Sequence, residues 1–166
     1  MVYDIIVIGD TPSAYTASIY AKTANLNLLH LFPKNCKPFK LVNVELFAGF
    51  VPSSENIADK NKILEEFIGN CKKQCENFKV NLKSFDNVEI CEKNLQNNTF
   101  TIKVDNSEKL EANHIIIEEK RHEEIIKHSY DLNKNNEQIR FIKSEGDLVQ
   151  VCGEGCKVFL DLKDNF

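Results

Sequence analysis

The opening stretch, MVYDIIVIGDTPSAYTASIYAKTANL, constrains the fold more than any other part of the chain. Residues 2–8 are apolar except for Asp4, and Gly9 closes the run. An unbroken apolar run of this length reads as a strand buried on both faces, as in a parallel sheet. Pro12 follows at a position suited to the first turn of a helix, where a missing N–H costs nothing. That helix is expected to end near Ala24, and Leu28 to Phe32 form a second short apolar strand. Strand, helix and strand over this length make a βαβ crossover.

The rest of the chain must fit around that unit. Its 166 residues suit one compact domain with a sizeable core. The formal net charge of −4 gives no global basic field for nucleic acid or an anionic membrane. No apolar run reaches transmembrane length, and the N-terminus reads as a strand and not as a signal peptide. The six cysteines, Cys36, Cys71, Cys75, Cys91, Cys152 and Cys156, are therefore expected as reduced thiols in the cytoplasm.

Residues 33–52 read as irregular. Residues 53–78 read as a helix capped by Ser53 or Ser54, with Ile57, Leu64, Phe67, Ile68, Cys71, Cys75 and Phe78 on its buried face. Val80, Leu82 and Phe85 alternate as a strand; 88–91 and 99–104 are further strands, and Asp105-Asn106-Ser107 is a turn leading to Leu110 and Ala112. Residues 115–117 form another buried strand. The very polar stretch 118–138 reads as a solvated helix or linker. Residues 139–142 are a last strand, and 148–162 a helix weakened by Gly153 and Gly155.

Four segments, in order, resemble the FAD-binding half of low-molecular-weight thioredoxin reductases. GDTPSAYTASIYAKTANL falls on that family's Gly-rich turn, Pro and following helix. VELFAGF (44–50) falls on its motif ending Phe-Pro-Gly-Phe. The region 80–112 with HIII (114–117) falls on its meander and following strand, and CGEGCKVFLDLKDNF (152–166) on its closing Gly-x-Gly-Cys helix. The resemblance implies an α/β, Rossmann-like FAD-binding domain of the two-dinucleotide-binding-domain flavoprotein type. It would have a parallel sheet plus a small antiparallel β-meander, as one domain over 1–166, and relatives of this type often form homodimers.

The departures from that family are as informative as the matches. A dinucleotide turn uses three glycines for the bend, for close approach of the diphosphate and for helix packing. Here Gly9 is present, but Thr11 and Ala14 stand at the other two places, and Asp10 adds a negative charge. Phe32 stands where the family has an acidic residue on the ribose. Its Ala-Thr-Gly turn falls on Glu118, Glu119 and Lys120. Its NADPH domain would be inserted where only the polar linker 118–138 lies, and the sequence holds no Cys-x-x-Cys. Gly9, Pro12 and Asp147, the last in a Gly146-Asp147 pair matching a late family motif, are the vestigial cofactor-binding residues.

The expectation is thus a non-catalytic pseudoenzyme with no cofactor, no catalytic residues and no NADPH, acting through a macromolecular partner. The alternative is a residual FAD-binding redox protein or electron carrier. LFPKNCKPFK (31–40) interleaves Phe32 and Phe39 with Lys34, Lys37 and Lys40, a pattern able to contact phosphates and stack on bases. It makes the ribosome or its RNA the partner of first choice, in the role of a dormancy factor. The Cys71/Cys75 and Cys152/Cys156 pairs have spacings one residue longer than a zinc knuckle and read as buried thiols. His114, His122 and His128 read as structural or solvated, and no metal site is expected.

Overall fold

The computed structural model describes residues 1–35, 40–53, 55, 58–118, 126–128 and 137–163. Strand β1 (Val2–Ile8) leads through helix α1 (Pro12–Thr23) to β2 (Leu28–Pro33), which lies parallel beside β1. The short β3 (Leu41–Val42) and a 3-10 turn at Val44–Leu46 lead to α2 (Lys60–Asn77) and β4 (Asn81–Phe85). Strands β5 (Val88–Asn94), β6 (Thr99–Val104) and β7 (Glu108–Glu118) follow. After them come β8 (Ile126–His128), β9 (Ile139–Ile142), β10 (Gly146–Asp147) and helix α3 (Leu148–Lys163).

The parallel strands lie in the order β4-β2-β1-β7-β9. The antiparallel meander is made by β5, β6 and the first half of β7. Strand β7 belongs to both parts. Its residues 108–112 pair with β6, its residues 115–118 pair with β9, and β1 runs along its other edge from Glu111 to Ile117.

Period-2 alternation in β1 divides the core. Ile5 and Val7 face the helices, packing with Tyr15, Ala17 and Ala21 of α1 and with Val158, Phe159 and Leu162 of α3. Ile6 and Ile8 face the meander, against Ile90, Phe100, Ile102 and Val104. Each fully buried Ile contributes roughly 2 kcal/mol. A third cluster joins Val44 and Phe50 to Ile63 and Phe67 of α2 and Leu148 of α3.

Several sequence expectations need correction. Helix α2 begins at Lys60 and not near Ser53, because the Asp59 carboxylate accepts from Asn61 N at 2.9 Å and Lys62 N at 3.5 Å. Ser53 instead donates to Glu66. Phe78 is the C-cap of the helix and 42% exposed, and Ile63 takes a place on the buried face. Residues 81–85 are no part of the meander: α2 carries the chain back as a second crossover, so β4 lies parallel to β2. The strand expected at 115–117 is the end of the 11-residue β7. Part of the expected linker, 126–128, pairs parallel with β5; Ile57, His122 and most of 118–138 lie outside the described residues.

Glycine does not break α3. A Cβ on Gly155 would overlap the Ser13 carbonyl of α1 and sit only 2.9 Å from Ser13 Cα, so the two helices meet at glycine-only distance. A Cβ on Gly153 would meet nothing within 4 Å. Gly155→Ala should therefore cost about 3 kcal/mol through overpacking, whereas Gly153→Ala should add about 0.5–1 kcal/mol through helix propensity. Urea unfolding midpoints of the two variants check the contrast.

Candidate functional site

In an open parallel sheet the ligand crevice lies outside the carboxyl ends of the strands, where the strand order reverses. Here the chain passes from β1 to β2 and β4 on one side and to β7 and β9 on the other, so the reversal falls between β1 and β7. Ile8 is in register with Ile117, which sets Gly9 directly beside Glu118.

The turn from β1 to α1 is closely packed. Asp10, Thr11 and Ser13 are buried. Pro12 occupies the first helical turn as expected, and Thr11 is the N-cap without a side-chain capping bond. Thr11 Oγ1 is instead 3.0 Å from Ser13 Oγ, which donates to the Lys143 carbonyl at 2.6 Å. Glu118 is only 3% exposed. The Asp10 amide donates to Glu118 Oε2 over 3.4 Å. A Cβ on Gly9 would lie 3.0 Å from Glu118 Cβ, 3.1 Å from Glu118 Oε2 and 3.2 Å from Ala14 Cβ. The glycine at residue 9 is thus required by the approach of the Glu118 side chain.

Beneath the turn lies a residue that sequence reasoning passed over. His30, in the middle of β2, is fully buried and stacks on Tyr15 with ring centroids 4.8 Å apart. Its Nε2 is 2.8 Å from the Gly9 carbonyl and its Nδ1 2.8 Å from Ser18 Oγ. The carbonyl can only accept, so Nε2 carries the proton and Nδ1 accepts from Ser18. The signal was a lone polar residue inside the apolar run LLHLF.

The other sequence-predicted residues are dispersed. Asp147 is the cap of α3: its Oδ1 accepts from Val149 N at 3.0 Å and Gln150 N at 3.4 Å, and its Oδ2 accepts from Asn43 Nδ2 at 2.7 Å. Those bonds, the one from Asn43 foremost, hold its carboxyl below the usual carboxylate range. Lys34 pairs with Asp86. The Lys72 ammonium sits 4.7 Å over the Phe32 ring. Lys40 is exposed, while Cys36, Lys37 and Phe39 lie outside the described residues.

Burial pushes the thiols of Cys71 and Cys75 up to about 12 and that of Cys152 up to about 11. They are neutral at physiological pH, and neutral thiols are poor nucleophiles and metal ligands. Among the described residues no three His, Cys, Asp or Glu side chains form a group that could hold a metal. No helix there is long and apolar enough to cross a membrane.

No protein-family model and no curated protein matches the sequence. Solved structures do match the fold. An atypical thioredoxin reductase from Desulfovibrio vulgaris Hildenborough superposes with TM-score 0.52 at 19% identity, over 70% of this chain and 35% of that one. Thioredoxin reductase from Giardia duodenalis gives TM-score 0.52 at 22% identity, over 70% and 35%. An oxidoreductase from Agrobacterium tumefaciens gives TM-score 0.51 at 15% identity, over 71% and 36%. At these identities the likeness is one of fold: the Rossmann-like, FAD-binding domain of thioredoxin reductases. The chain spans about a third of the length of the structures it matches.

His30 gives the site a pH dependence of stability. Burial pushes its pKa down to about 4, against partial support from the Gly9 carbonyl and Asp10. The unfolded chain binds the proton near pH 6.5 and the folded one only near 4, so stability is complete above about 6.5 and falls with pH toward 4. The loss should approach ~3 kcal/mol at pH 4. Urea unfolding from pH 7 to 4 measures it, and the His30 ring protons should stay unshifted by NMR until pH nears 4.

Proposed function

We propose that this chain is a non-catalytic binding protein, a pseudoenzyme that keeps the FAD-domain fold, binds no dinucleotide and acts in the cytoplasm through a macromolecular partner. One observation carries the reading: Asp10 and Glu118, both carboxylic side chains, are buried at the switch point where this fold holds a diphosphate. A diphosphate seated there would have to displace the Glu118 side chain, whose Oε2 takes the Asp10 amide and lies 3.1 Å from where a Cβ on Gly9 would stand. Thr11 adds a β-branched side chain where a glycine permits close backbone approach. Phe32, under Lys72, offers no acceptor to ribose hydroxyls.

The partner proposed is the ribosome, with the chain as a dormancy factor. Lys34 is neutralised by Asp86 and Phe32 is covered by Lys72, so any phosphate and base contact rests on Lys37, Phe39 and Lys40. These residues would add to the fold a function that needs no cofactor.

The deciding measurement is an absorption spectrum of gently purified native protein. No band near 450 nm is expected, and a stoichiometric flavin band would replace this reading with a residual FAD protein. Sedimentation with ribosomes through a sucrose cushion then tests the partner. Co-sedimentation is expected at low salt and should be lost in a Lys37→Glu/Lys40→Glu variant. Protein that stays in the supernatant at low salt rejects the ribosome.

A further inference from the structure

Helix α3 is apolar on two faces, and the core uses only one of them. Leu148, Val158, Phe159 and Leu162 are buried against the other helices and the sheet. On the outer face Val149 is 61% and Leu160 47% exposed. Between them lie Gly153, exposed and with open space where a Cβ would stand, and the half-buried free thiol of Cys156. Tyr20 of α1, largely exposed, borders this stripe and is hydrogen-bonded to the Cys156 thiol. Residues 149, 153, 156 and 160 are spaced by four, three and four. At 3.6 residues per turn they fall within a band ~60° wide. Alternation of four and three is the spacing of a seam between two helices. Gln150, Glu154, Lys157 and Asp161 each follow a stripe position by one residue, so they lie about 100° round the helix and leave the stripe itself uncharged.

We propose that this stripe is the seam of a homodimer in which α3 packs antiparallel on α3 of a second copy. The inference goes beyond the proposed function and does not rest on it. The occupant follows from the stripe and from the charges at its ends. A two-fold axis between Gly153 and Cys156 sets Val149 against Leu160 of the partner subunit and Gly153 against Cys156 of the partner subunit. Glycine at the centre lets the two backbones approach closely. The exposed Glu145 stands just before α3 and the exposed Lys163 ends it. An antiparallel copy lays each Lys163 by Glu145 of the partner subunit and opposes the two helix dipoles. A parallel copy would set like charge on like charge at both ends. The seam is two turns between large side chains and falls short of the ~800 Å² per partner of a tight complex. The dimer is therefore reversible and depends on concentration.

Sedimentation equilibrium of the full chain over a wide concentration range tests it. The wild-type mass should rise from that of one chain toward that of two. Val149→Lys and Leu160→Glu each place a charge against an apolar residue of the partner subunit, and each should weaken association about tenfold or more. Both positions are exposed, so the variants should fold, which circular dichroism checks. The double variant Val149→Lys/Leu160→Glu sets lysine against glutamate across an antiparallel seam and should regain about tenfold in affinity. The two new charges stand about 17 Å apart within one helix, so the recovery has to come from a second copy. A wild-type protein that stays one chain at every concentration overturns the inference. So does a dimer that the single variants leave intact, or one that the double variant fails to restore. A flavin band in the native protein would remove the proposed function and leave this seam standing.

Discussion

The pairing of β1 with β7 is the contact on which the rest of the structure depends. It places Ile8 against Ile117 and so makes neighbours of two residues, Gly9 and Glu118, that are 109 positions apart in the sequence. It also divides the apolar core, sending Ile5 and Val7 to the helices and Ile6 and Ile8 to the meander. A strand buried on both faces must have both edges paired as well, because an unpaired buried amide costs as much as a lost hydrogen bond. Strand β1 meets that condition with β2 on one side and β7 on the other.

The sequence carried the first crossover plainly, since a double-faced apolar run, a single glycine and a proline at the helix start each have a short-range cause. It carried the later elements less well, for physical reasons that differ from case to case. The start of α2 depended on which of several candidate caps would engage, and Asp59 outcompeted the serines. Membership of β4 in the parallel sheet depended on α2 returning the chain to β2, which alternation alone does not encode. Gly155 weakens a helix by propensity, yet here it is what lets α3 reach the Ser13 carbonyl; packing overrode propensity.

The site was legible as a set of departures and illegible as an arrangement. Thr11, Asp10 and Glu118 each stand out against a glycine-rich turn, but nothing local shows that Glu118 folds inward while Lys34 is drawn to Asp86. His30 is the clearest omission. A histidine among leucines looks like a tolerated core residue until its two nitrogens are seen to join the Gly9 carbonyl to Ser18. That bridge and the Glu118 side chain both pack on the turn, the one through the Gly9 carbonyl and the other through the Asp10 amide.

Strand β7 is shared by the meander and the parallel sheet, with no break between Glu108 and Glu118. A protein with a separate meander could lose it to local opening while the sheet stayed intact. This one has no such seam: unzipping β6 from β7 bares the strand that also secures β1. The meander and the nucleotide-fold core should therefore behave as one cooperative unit, with amide protection nearly uniform along β7, and a partner gripping the meander would be holding the same strand that ends at the switch point.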